Sequence, residues 1–127
     1  MVAALAVAAG GAAGSLLRWW AMLAAAKIGW VAFPWSTIAI NIAGSFAIGW
    51  FAAATMPGGP SPASHELRLL VMTGLCGGFT TFSAFSLQTL DLLRAGDWTA
   101  AAGNVLLSVV LCLAAVALGH WAGTPAP

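Results

Sequence analysis

The strongest constraint on this chain is how little charge it carries and where that charge sits. Four basic and three acidic residues serve 127 positions, and apart from Arg18 they fall near the ends of long apolar runs. A soluble domain usually devotes about a quarter of its residues to charge. This chain devotes 6%, against 61% hydrophobic. A soluble fold of this length still exposes a large share of its surface, so the apolar excess has to meet lipid. A crossing needs about 20 apolar residues, which leaves room for about four crossings and short loops. The sequence therefore predicts an all-α integral membrane protein, with one transmembrane domain over residues 1–127 and crossings at about 2–26, 35–55, 65–94 and 99–121.

The connections carry the expected punctuation. Residues 27–34 hold Gly29, Trp30 and Pro34. Residues 56–64, "MPGGPSPAS", are rich in Pro, Gly and Ser. Residues 95–98, "AGDW", form a turn in which Asp97 is a candidate N-cap. Trp19, Trp20, Trp30, Trp35, Trp98 and Trp121 lie near the proposed ends, where an amphipathic ring favours the interface; Trp50 fits less well. No basic stretch precedes the first apolar run, so that run is expected to remain as a crossing and not to be cleaved as a signal peptide.

The same composition removes several function classes. Without a basic run, nucleic-acid binding is not expected. Cys76 and Cys112 lie far apart in apolar context with no metal-type spacing and read as small fillers. No nucleophile–base constellation lies at membrane depth, so an enzyme is not expected. Proton-coupled exchange usually needs an intramembrane carboxylate, and none of Glu66, Asp91 or Asp97 is mid-crossing.

Orientation is almost undetermined by charge. With four crossings, Arg68 lies on the side of the 56–64 loop, and Lys27 and Arg94 lie on the other. One against two barely engages the positive-inside rule. Such balance is what a protein inserted in both orientations, and paired antiparallel, would show.

Polar residues within the crossings are ordered. Thr37, Asn41 and Ser45 recur every four residues, and so do Asn104, Ser108 and Cys112. Each set puts donors on one helix face, where they must meet protein or water. They serve either as glue between helices or as the wall of a polar path. Gly10 and Gly14 form a GxxxG pair for close helix packing. Arg18 either snorkels to the interface, attracts an anion or ties down the carbonyls of a broken helix; a structural role is expected.

The third run contains "GLCGGFTTFSAF", residues 74–85. The adjacent Gly77 and Gly78, followed by Thr80 and Thr81, predict a helix break near 77–81. A break at mid-bilayer exposes carbonyls, and exposed carbonyls suit Na⁺. Phe82 and Phe85, three apart, project from one face, and the positive edge of a phenyl ring can hold an anion without a full charge.

With these motifs assembled, "GGAAGSLLRWW" (10–20), "NIAGSF" (41–46) and "GGFTTFSAF" (77–85), the chain resembles the Fluc/CrcB fluoride ion channels along nearly its whole length. The resemblance implies a dual-topology antiparallel homodimer with two separate pathways, passively exporting fluoride across the bacterial cytoplasmic membrane. It implies that Phe82 and Phe85 form the aromatic pair of the pores and that Asn41 is a pore donor. Thr37, Thr81 and Ser108 would line the polar stretches. It further implies a central structural sodium on the main-chain carbonyls of Gly77 and Thr80, with Arg18 matching the motif arginine of the first crossing. Gln88 stands where relatives are expected to be acidic, and Cys112 where a hydroxyl or small residue is expected. Two other readings remain open from the residues: a small four-span multidrug or cation exchanger, and a non-transporting membrane subunit.

Overall fold

The computed structural model describes residues 1–30 and 32–124; of the predicted 27–34 connection, Val31 lies outside the described residues. The described residues are helical with short turns. α1 spans Val2–Lys27, α2 Trp35–Thr55, α3 His65–Arg68, a π-helical segment Leu69–Cys76, α4 Gly77–Phe79, α5 Phe82–Arg94 and α6 Trp98–Gly123. Four stretches are long and apolar enough to cross a bilayer: Val2–Lys27, Trp35–Thr55, His65–Arg94 and Trp98–Gly123. The predicted limits differ from these by at most two residues. The seven tryptophans are all among the exposed large side chains, Trp50 included.

Local chemistry sets the ends. α1 and α5 both finish in a Schellman arrangement with a left-handed glycine. After α1, Gly29 (φ 82°) donates to Ala26 and Trp30 donates to Ala25. After α5, Gly96 (φ 80°) donates to Leu93 and Asp97 donates to Leu92. The Asp97 carboxylate then accepts from the Ala100 amide at 2.9 Å and starts α6. Each arrangement gives carbonyls of the helix's last turn, Ala25 and Ala26 or Leu92 and Leu93, a donor beyond the helix.

Packing occurs in two pairs. α1 lies along the first part of the third crossing and α2 along α6. The contact between α1 and the third crossing is backbone on backbone: a side chain on Gly10 would fall on the Leu70 carbonyl and within 3.0 Å of the Gly74 Cα. Small residues permit such approach in lipid, where helix association rests on close packing and hydrogen bonds. The widened turns of Leu69–Cys76 coincide with this contact. α6 is tied to α5 by Asn104, which is fully buried and donates through Nδ2 to Thr89 Oγ1 at 2.8 Å. At its far end α2 is closed by Arg68, whose Nη1 donates to Thr55 Oγ1 at 2.6 Å and to the Ala52 carbonyl at 3.3 Å.

Candidate functional site

The third crossing is interrupted, but not where its glycines point. Gly77 and Gly78 are helical; the backbone becomes extended at Thr80 (φ −80°, ψ 162°) and Thr81 (φ −152°, ψ 111°). The extended residues fall within the expected 77–81, at its threonines, while the glycine pair stays helical. Gly78 is used for proximity, since a Cβ there would come within 2.6 Å of the Gly11 carbonyl of α1. The break comes instead from side chains on neighbouring helices that hold the threonines extended.

Four bonds hold it. The Asn41 carboxamide on α2 donates from Nδ2 to the Thr81 carbonyl at 3.2 Å and accepts at Oδ1 from the Thr81 amide at 2.8 Å. Arg18 on α1 donates from Nη1 to the Thr80 carbonyl at 3.3 Å. The Thr81 hydroxyl accepts from the Ala84 amide at 3.1 Å and caps the restarted helix α5. Each of these satisfies a backbone group that lipid could not. They also redirect donors. In an unbroken helix the Thr81 amide would close on the Gly77 carbonyl and the Ala84 amide on the Thr80 carbonyl. Here both amides go to side chains, so the Gly77 and Thr80 oxygens lose their helical donors, and only the Thr80 oxygen regains a partner, in Arg18.

Beside the break lies a cavity of about 430 Å³, walled by α2, the third crossing and α6. Asn41, Gly77, Thr80, Thr81, Phe82, Phe85 and Ser108 all border it. The two phenyl rings lie 5.3 Å apart at 46°. Phe82 is 78% exposed, with little of its ring against its own chain. None of the residues bordering the cavity is charged. The site therefore offers amide and hydroxyl donors and ring edges without a fixed charge. It also has the start of α5 beside it, where the helix dipole is positive.

Two expected site residues lie elsewhere. Thr37 is 1% exposed, packed within the fold and not on the cavity wall. Arg18 braces the break without bordering the cavity. Of the α6 set, Ser108 and Cys112 border the cavity, whereas Asn104 is spent on Thr89. Sequence reasoning missed Met72 as part of the wall and read Cys76 only as filler; a lone apolar sulfur carries no periodic signal. Gln88 borders a smaller hollow of about 250 Å³ with Phe33, Pro34 and Asp91, and its buried Oε1 has no partner.

The described residues thus form an all-helical protein with four stretches long and apolar enough to cross a membrane, the third of them broken beside an uncharged cavity. Residues 5–120 match the family described as CrcB-like protein, Camphor Resistance (CrcB), and the chain belongs to it. Among similar proteins, one from Paramagnetospirillum magneticum is 53% identical over 93% of this chain and 92% of its own length. One from Rhodospirillum rubrum is 55% identical, covering 90% and 88% respectively. One from Rhizobium etli is 47% identical over 94% of each. All three carry the name Fluoride-specific ion channel FluC.

Proposed function

We propose that the chain is a passive fluoride channel of the bacterial inner membrane, working as an antiparallel pair. It is not an enzyme. The observation that carries this reading is the uncharged cavity at the break, bordered by Asn41 from α2, Phe82 and Phe85 from α5 and Ser108 from α6. Fluoride is small and tightly hydrated. A path through the bilayer has to replace its water with donors that release it again, which neutral groups do better than a buried cation. Asn41 spends one Nδ2 hydrogen and its oxygen on Thr81 and keeps a second N–H for the ion. An exchanger reading has no support here, since Glu66, Asp91 and Asp97 are all exposed near helix ends.

The antiparallel pair is supported by what one chain leaves uncovered. The backbone opened at Thr80 and Thr81 and the polar groups of Asn41 and Ser108 beside the cavity cannot be left to lipid tails. A second copy covers them, and near-balanced charge lets that copy insert inverted.

A central sodium fits the residues present. The Gly77 and Thr80 oxygens are hard donors freed by the break, and a carbonyl oxygen has two lone pairs, so Thr80 can keep its bond to Arg18. Gly77 and Thr80 of each chain would hold the ion, and its charge would fix the carbonyls of the interruption in place. Thr81 and Ser108 border the path, the Ser108 hydroxyl donating at rest to Asn104 Oδ1 at 3.5 Å, and Thr37 supports α2 from within.

The test is fluoride efflux from liposomes holding the purified dimer. Efflux well above the protein-free baseline, with little chloride movement, is expected. A trace no faster than empty liposomes would reject the channel.

A further inference from the structure

Side chains of α5 and α6 form a one-way line of hydrogen bonds that starts at the cavity and ends on Phe85. The Ser108 hydroxyl donates to Asn104 Oδ1 at 3.5 Å, Asn104 Nδ2 donates to Thr89 Oγ1 at 2.8 Å, and the Thr89 hydroxyl donates to the Phe85 carbonyl at 2.8 Å. Chemistry fixes the sense of this line. A carbonyl only accepts, so Thr89 spends its single proton on Phe85 and meets Asn104 as an acceptor. The Asn104 amide must then turn its nitrogen to Thr89 and its oxygen to Ser108. Asn104 is 0% exposed and does not border the cavity, so no solvent competes for this orientation. Ser108 does border the cavity, but its proton is held on Asn104.

We propose that Thr89 and Asn104 are positioning residues that keep the Ser108 hydroxyl in reserve, its proton resting on Asn104 until an arriving anion draws it round. The inference rests on the proposed fluoride pathway and deepens it. The bond given up is long for a hydroxyl donor, so the exchange costs little. Only the hydroxyl rotates; no bond to hydrogen breaks. The anion gains a neutral donor, and the waiting Asn104 oxygen takes the proton back and so loosens the hold. Thr89 stops the amide from reversing. With Nδ2 toward Ser108 instead, the serine oxygen would accept and its proton would be free for the cavity at all times.

The chain has two asparagines, Asn41 and Asn104, so isotope-labelled asparagine gives two side-chain amide signals by NMR of the full chain in detergent. Asn41 borders the cavity and reports the arrival of fluoride; Asn104 is sealed from it and reports the Ser108 hydroxyl. Thr89→Val, which should move only the Asn104 signal before any fluoride is added, assigns the two. Sodium fluoride is titrated at constant sodium against sodium chloride. Both signals should move with the same half-saturation, and in Ser108→Ala the Asn104 response should vanish while that of Asn41 remains. Thr89→Val releases the amide and Asn104→Leu removes the waiting oxygen. Each should lower half-saturating fluoride by about two- to threefold, the worth of one weak hydrogen bond. Adding Ser108→Ala should erase that gain. A merely structural role for the pair predicts weaker binding instead, and that result would overturn the proposal. So would an Asn41 response with Asn104 unmoved, or an Asn104 response that survives in Ser108→Ala; in both cases the channel reading stands. If neither signal moves, fluoride does not enter the cavity, and the channel reading falls together with the proposal. Should Asn104→Leu fail to fold, the wild-type and Ser108→Ala titrations decide the matter.

Discussion

The carboxamide of Asn41 grips the backbone of Thr81 at both ends, giving to its carbonyl at 3.2 Å and taking from its amide at 2.8 Å. One side chain from α2 thereby does for an extended residue what a neighbouring strand does in a sheet. Buried backbone groups need such partners, and in hydrocarbon the alternative to Asn41 is to rejoin the helix.

Asn41→Leu should therefore cost about 2–4 kcal/mol, from two lost bonds and the two backbone groups left unpaired. Thermal unfolding of the purified protein in detergent measures it. A midpoint equal to that of the wild type would mean that the break stands without Asn41.

The aromatic pair separates function from stability. Because Phe82 is 78% exposed within its own chain, Phe82→Ile removes little internal packing. Fluoride efflux should slow by about tenfold, the factor that matches roughly 1.4 kcal/mol for a lost ring-edge contact, while the elution volume of the purified protein stays unchanged. Phe85→Ile should behave alike. Full-speed efflux in both variants would take the rings off the path.

Two adjacent glycines of α1 should respond in opposite ways. A methyl group on Gly10 meets the backbone of the third crossing, which cannot rotate aside, whereas one on Gly11 meets nothing within 4 Å. Gly10→Ala should cost about 3 kcal/mol or more by overpacking, and Gly11→Ala should be tolerated. Comparing the yield of folded protein for the two variants checks this; equal yields would contradict the packing described for α1.

On the proposed sodium site, protein purified without ever meeting Na⁺ should carry fluoride poorly and recover when Na⁺ is added, because the Gly77 carbonyl then gains a partner and the Thr80 carbonyl a second one. Efflux in K⁺ buffer alone, measured before and after Na⁺ addition, reports the effect. Undiminished efflux in Na⁺-free buffer would remove the ion from these carbonyls.

The crossings were legible because apolar length and scarce charge leave one option, and the turns because Gly29, Gly96 and Asp97 act through neighbours in sequence. The break was legible in place but not in cause. Gly77 and Gly78 look like helix breakers locally, yet Gly78 is needed for contact with α1, and Thr80 and Thr81 open under bonds from residues 62 and 40 positions away. Periodicity put Thr37 with Asn41 and Ser45, but one face of a helix can meet a cavity over part of its length and a packed neighbour over the rest. The π-helical turns left no trace in composition.

Arg18 and Asn41, which brace the break, both precede it in the chain. As the polypeptide leaves the ribosome, the first two crossings are made before Thr80 and Thr81 emerge. The newly opened peptide groups thus enter a bilayer that already holds their partners. Moving the bracing residues to the last crossing would keep the same finished contacts but leave those groups bare during synthesis. The order of the crossings, as well as their arrangement, lets a gap be built in the middle of a membrane.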